Sequence, residues 1–172
     1  TGWQLRGIRN GESLADHCFG VTLLAFMLAD VVQAGINRER AVAIAIVHEL
    51  GECRVGDIPY IALKYFPDKS KIETEAVEDI LGPLGEKITS ASLELFKEFE
   101  EGSTLEARFV KAIDKLDMLI TAAEYEKTGF ASLSDFWANE STFRPFVEFP
   151  ELAAYAEHLR RNRERRLAGR HD

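Results

Sequence analysis

From Leu14 to Val32 the apolar residues recur every three or four positions, at Leu14, Cys18, Val21, Ala25, Leu28 and Val32, with Leu24 and Val31 widening the stripe. That 3.6-residue period belongs to a helix with a buried face. The same spacing returns along the rest of the chain, and no stretch alternates with period two for long enough to build a sheet. An all-α bundle is therefore expected. With 172 residues, 46% of them hydrophobic, the chain can bury one proper core, so residues 1–172 are expected to form a single domain.

The punctuation marks out the helices. Ser13 stands as N-cap of the first, and Gly35 ends it. Arg38 to about Cys53 follows, apolar nearly all round until His48, and Asp57-Ile58-Pro59 forces a turn. Residues 60–70 are expected to be an irregular connection with one short helix. Helical periods resume over Glu73 to Leu81 and Leu84 to Glu101, the latter placing Leu84, Ile88, Ala91, Leu95 and Phe99 on one face. Gly102 stops that helix; Leu105 to Lys127 and Pro150 to about Leu167 supply two more.

A net charge of −8 argues against a protein that coats nucleic acid or anionic membrane, since phosphate contacts need clustered cations. The basic run RRNRERR at 160–166 is expected to be a solvated helix end, where cations suit the helix dipole. No run of about 18 apolar residues and no signal-peptide layout is present, so a soluble, cytoplasmic protein is expected. Cys18 and Cys53 imply no disulfide framework.

The polar residues inside the apolar helices carry the chemistry. Seven apolar residues, Ala41 to Val47, lead straight into His48, Glu49 and Glu52. His17 shares a face with Val21, Leu24 and Leu28, and Asp114 sits one turn after Val110. A buried charge without compensation costs several kcal/mol, on the order of 3–5 when a partner is missing. Convergence of His17, His48, Glu49 and Asp114 on one divalent transition ion (Mn, Co, Fe, Ni or Zn) would satisfy all four. The zinc-protease pattern HExxH fits poorly, because Glu52 stands where its second histidine belongs. Glu52 does share a helix face with His48, where a base for a metal-bound water belongs.

In order and separation, the segments TGWQLRGIRNGESLADH, VHELGECRVGDIP and FVKAIDKLDMLITAAEYE, and more weakly LSDFWANESTFRP, resemble the HD-domain superfamily of metal-dependent phosphohydrolases. Within it the likeness is to the 5'-deoxynucleotidases. The resemblance implies one metal bound by His17, His48, Glu49 and Asp114, with Glu49 a departure from the family's aspartate. It implies that Glu52 positions or activates the attacking water, that Asp57 contacts the sugar, and that Trp3 borders sugar and phosphate. The family's phosphate-binding arginine lies just upstream of that tryptophan; in this chain it is expected to be absent, lost with a truncated N-terminus, or replaced by Arg6 or Arg9, with Lys111 as a further candidate cation. The implied substrate is a deoxyribonucleoside 5'-monophosphate, and the implied assembly a homodimer. A non-catalytic, regulatory metal- or nucleotide-binding module is the alternative. An HD-fold oxygenase would need further histidines, and His158 and His171 lie in the terminal helix and tail.

Overall fold

The computed structural model describes residues 2–129 and 133–169. Its elements are α1 (Leu14–Leu28), α2 (Arg38–Val47), α3 (Glu52–Val55), α4 (Lys69–Leu81), α5 (Glu86–Glu101), α6 (Leu105–Lys127), α7 (Ser134–Ala138), α8 (Glu140–Phe143) and α9 (Pro150–Ala168), with short 3-10 turns between some of them. Among the described residues there is no strand. The all-α expectation holds. Among the described residues no helix is long and apolar enough to cross a membrane.

The long helix α6 is the hub, packed against α1, α2, α5 and α9. Its buried residues, among them Phe109, Val110, Ile113, Leu116 and Leu119, recur at three and four positions, so the helix lies inside the bundle for most of its length. Phe109 meets Phe149 edge to face at 5.8 Å, joining α6 to the turn before α9. Fully burying an aliphatic or aromatic side chain of this kind contributes roughly 1.5–3 kcal/mol. A second, smaller core of Val77, Leu81 and Phe96 clamps α4 to α5.

Ser13 caps α1 as expected: its hydroxyl accepts from Asp16 N–H while Asp16 reaches back to the Ser13 N–H, a reciprocal capping box. The helix stops at Leu28 rather than Val32, because the chain tightens there and Val31 N–H donates to the Leu28 carbonyl at 3.0 Å. The expected helix from Arg38 to Cys53 is two helices. At 48–51 the backbone switches to i→i+3 bonds, Leu50 to Val47 and Glu52 to Glu49. Gly51 makes room for that turn: a Cβ there would come within 2.8 Å of Glu73 Cβ and 2.9 Å of the Glu73 carbonyl oxygen. Through Gly51, α4 packs directly against the turn that carries His48 to Glu52.

Helix α4 begins at Lys69, four residues earlier than its apolar period suggests, through a polar turn held by Lys69–Glu73 and Lys71–Glu75 ion pairs. In α5 the inward face belongs to Phe96 and Phe99, whereas Leu84 and Ile88 of the expected stripe are 57% and 49% exposed. Phe96 turns the helix that way by packing into the smaller core. Helices α7 and α8 fall where no helix was expected. The basic run near the C-terminus is partly internal, since Arg163 and Arg166 both pair with buried Glu126 of α6, at 2.8 and 3.1 Å. His171 lies outside the described residues.

Candidate metal centre and substrate cavity

Three elements bring the inward polar residues together. His17 comes from α1, His48 from the end of α2 and Asp114 from the middle of α6, and one ligand atom of each lies within 4.8 Å of the others. The two rings stand 5.5 Å apart. Each ring has one nitrogen tied away from the cluster. His48 Nδ1–H donates to the Ala45 carbonyl at 2.7 Å, and His17 Nδ1–H donates to Asp117 Oδ2 at 2.8 Å. Both Nε2 atoms are thereby turned inward, His17 Nε2 lying 3.4 Å from Asp114 Oδ1.

The charge states follow from the surroundings. Burial, with His17 as cationic neighbour, pushes the His48 pKa down to about 4, so the ring is neutral at pH 7. Burial disfavours a charged His17 as well, but the carboxylates of Asp114 and Asp117 reverse that and raise it to about 10. Burial would raise Asp114; Lys115, at 2.9 Å, and the two histidines instead hold it far below the usual carboxylate range. Glu49 is raised well above its ordinary value by burial and by the neighbouring Glu52 carboxylate.

These residues fit a divalent ion. His48 Nε2 is completely buried with no hydrogen-bond partner, and its ring is neutral, so it presents an unshared pair to the space between His17 and Asp114. Glu49 stands beside this trio rather than in it: its Oε1 is 4.0 Å from His48 Nε2. Cys18 and Cys53 are free thiols and take no place among the clustered ligand atoms.

His17 and Asp114, but not the fully buried His48, face a cavity of about 760 Å³, whose walls also include Trp3, Glu12, Glu49, Glu52, Asp57 and Lys69. Trp3 is fixed on several sides. It stacks on Phe136 at 4.8 Å, meets Tyr125 edge-on at 5.2 Å, and donates from Nε1 to Glu12 Oε1 at 2.9 Å. Asp57 accepts the Gly2 N–H at 2.9 Å, which ties the N-terminal segment over the cavity. Glu52 stands 3.6 Å from Lys69 Nζ.

The expected phosphate cations lie elsewhere. Arg6 pairs with Asp135, lies over the Phe136 ring and donates to the Gly2 carbonyl; Arg9 is exposed; neither lines the cavity. Lys111 does not line it either: it donates to the Glu100 carbonyl at 3.2 Å with its ammonium over Phe99. Lys69 and Lys115 line the cavity instead. Sequence reasoning missed Glu12, Lys69 and Lys115. Asp117 lies one turn after Asp114 on the same helix, and that spacing is the signal for it. Gly20 admits that partner: a Cβ there would collide with Asp117 Oδ1 and stand 3.1 Å from its Cγ.

Two histidines and a carboxylate converging inside a helical bundle, beside further carboxylates in an open cavity, are the makings of a hydrolytic metal centre. The chain belongs to the HD domain family, whose model matches residues 1–147. It is 34% identical over 173 residues to 5'-deoxynucleotidase HDDC2 of Bos taurus, covering 98% of this chain and 80% of that protein. It is 39% identical to 5'-deoxynucleotidase hdd1 of Schizosaccharomyces pombe, over 86% of this chain and 77% of that protein. Among solved structures, a conserved hypothetical protein from Pyrococcus furiosus superimposes with a TM-score of 0.76 at 36% identity, over 93% of this chain and 90% of that one. A predicted metal-dependent phosphohydrolase from Magnetospirillum magnetotacticum gives a TM-score of 0.77 at 25% identity, over 94% of this chain and 82% of that one.

Proposed function

We propose that this chain is a metal-dependent 5'-deoxynucleotidase that hydrolyses deoxyribonucleoside 5'-monophosphates to deoxynucleoside and phosphate. The observation that carries the reading is the orphaned, neutral His48 Nε2, buried behind His17 and Asp114, which themselves line a cavity with Glu52 and Asp57. The names of the relatives support the substrate class. Glu52 favours an enzyme over a regulatory module, since metal binding alone has no use for a further carboxylate in the cavity.

His17, His48 and Asp114 would hold one divalent transition ion, with Glu49 as neighbouring carboxylate. When bound, such an ion lowers the pKa of water and draws charge from a phosphoryl oxygen. Glu52 orients the attacking water and accepts its proton as the new P–O bond forms in line with the breaking bond to O5'. Trp3, held rigid by Glu12 and Phe136, is the wall against which the nucleoside is oriented. Asp57 accepts from a sugar hydroxyl at the same wall.

The test is phosphate release from dAMP and AMP by metal-stripped protein titrated with Mn, Co and Zn, beside Glu52→Ala. Metal-dependent release that collapses in the variant is expected; no release from protein shown to bind metal would overturn the proposal. The outer face of α1 supports a homodimer, because Phe19, Phe26 and Met27 lie there 69%, 54% and 58% exposed. Sedimentation velocity would test it, with a monomer at all concentrations as the contrary result. The free Cys18 and Cys53 suit the reducing cytoplasm.

A further inference from the structure

A phosphate monoester brings two negative charges into a cavity already lined by Glu12, Glu49, Glu52, Asp57 and Asp114. A single divalent ion held by Asp114 offsets only part of that charge, so a cation of the protein is needed beside the phosphate as well. Arg6, Arg9 and Lys111 do not line the cavity. Of the two lysines that do, Lys115 is committed to Asp114, its Nζ 2.9 Å from Oδ2.

Lys69 is placed differently. It opens α4, and its ammonium stands between two carboxylates, 2.7 Å from Glu73 Oε1 and 3.6 Å from Glu52 Oε1. Glu73 is one turn further along the same helix, is 2% exposed and does not line the cavity, so it holds the ammonium from behind. Glu52 is on the cavity side. The close approach at Gly51 fixes this geometry by letting Glu73 sit directly against the turn before Glu52. Anchored from behind, with 30% of its side chain still exposed, Lys69 presents N–H donors next to the residue that handles the water.

We propose that Lys69 is a phosphate-binding cation of this site: its ammonium receives a phosphoryl oxygen of the substrate beside Glu52, and Glu73 holds it in place. The inference rests on the nucleotidase reading for the identity of the substrate, but the demand for an anion at Lys69 is open to direct measurement. Lys69 would balance the charge that builds on the phosphoryl oxygens while Glu52 accepts the proton of the attacking water.

The experiment compares wild type, Lys69→Met, Lys69→Arg and the double variant Lys69→Met with Glu73→Gln; the double variant leaves no buried carboxylate unpaired. Exposed Lys71→Met on the same helix is the control. Binding of inorganic phosphate to metal-loaded protein is read by calorimetry, kcat and KM are measured with dAMP, and metal content is checked in every variant. With metal content unchanged, both Met variants are expected to lose about 10²–10³ in kcat/KM, the range seen when one donor to a developing charge is removed. Their phosphate affinity should fall at least about tenfold, the equivalent of roughly 1.4 kcal/mol, with partial recovery in Lys69→Arg. Phosphate binding and kcat/KM within about threefold of wild type in the double variant would overturn the proposal. Should wild type release no phosphate from dAMP, the nucleotidase reading fails by itself, and the phosphate-binding comparison still decides the role of Lys69.

Discussion

Asp117 Oδ2 lies 2.8 Å from Nδ1 of His17, on the side of the ring opposite Asp114. One imidazole of α1 is thus held between two carboxylates one turn apart on α6. The outer carboxylate fixes the tautomer and the plane of the ring, so that Nε2 is the atom offered to the centre. Asp117→Asn is expected to lower divalent-metal affinity about 10–100-fold, the usual range for such outer partners, while the helical content stays that of wild type. Competition against a chromogenic chelator measures it. An affinity equal to wild type would show that the ring needs no outer partner.

The same pair can be broken without touching a polar group. Gly20 is the point on α1 over which the Asp117 carboxylate lies, and an added methyl would meet Oδ1 and Cγ. Gly20→Ala is expected to reproduce much of the loss in metal affinity of Asp117→Asn. A helix-interior alanine gains up to about 1 kcal/mol in propensity over glycine. Overpacking at the contact costs typically about 1–3 kcal/mol, so the net change in stability should be zero or destabilising. Gly20→Ala combined with Asp117→Asn should fall short of the sum of the two effects, since both act on one contact. Additive losses in a double-mutant cycle would place the action of Gly20 elsewhere.

The centre was legible where the chain broke its own pattern. His17, His48 and Asp114 are polar residues in helices otherwise made to be buried, and one site accounts for all three. Lys69 offered no such contrast, because it starts a helix in a polar, exposed stretch and meets Glu52 only through the packing of α4 at Gly51. Arg6 misled for the converse reason: its partner Asp135 is 129 residues away, a distance over which periodicity says nothing. The helix boundary at His48 was hidden as well, since a switch to i→i+3 bonding leaves the local apolar pattern unchanged. Helices α7 and α8 are five and four residues long, too short to establish a period.

Acid stability should report on Glu98. Its side chain is 5% exposed; burial alone would raise its pKa, but hydrogen bonds from Arg40 and Thr104, together with the Arg40 charge, bring it below the ordinary 4.5. A folded pKa below the unfolded one means that the stabilisation is fully present above about pH 4.5 and is lost as the pH falls through the depressed folded value. Glu98→Gln is therefore expected to cost roughly 1–3 kcal/mol at pH 7, as for a buried hydrogen-bonded charge. It should also flatten the decline in stability below pH 4.5. Urea unfolding followed from about pH 7 to about pH 3 would show the wild-type and variant curves converging toward acid. Parallel curves would place the acid sensitivity in another group.

The C-terminal helix is tied to the hub by charge as well as by apolar packing. Glu126 on α6 is 2% exposed and receives Arg163 at 2.8 Å and Arg166 at 3.1 Å, while the Arg163 guanidinium also lies over the Trp137 ring at 5.4 Å. Arg163 thus joins α6, α7 and α9. Replacing it by methionine preserves most of the apolar stem but takes from the buried carboxylate the cation that stands 2.8 Å away. Removing one partner of a buried pair costs about 3–5 kcal/mol when the other charge is left bare. With Arg166 remaining, Arg163→Met should cost less than that, and Arg163→Met with Arg166→Met should cost more than the single change. Adding Glu126→Gln to the double variant removes the buried charge that has lost these two cations and should restore part of the loss, a sign opposite to that of a simple sum. Thermal unfolding of the three proteins measures the order, and a further loss in the triple variant would contradict this account of what holds α9 to the bundle.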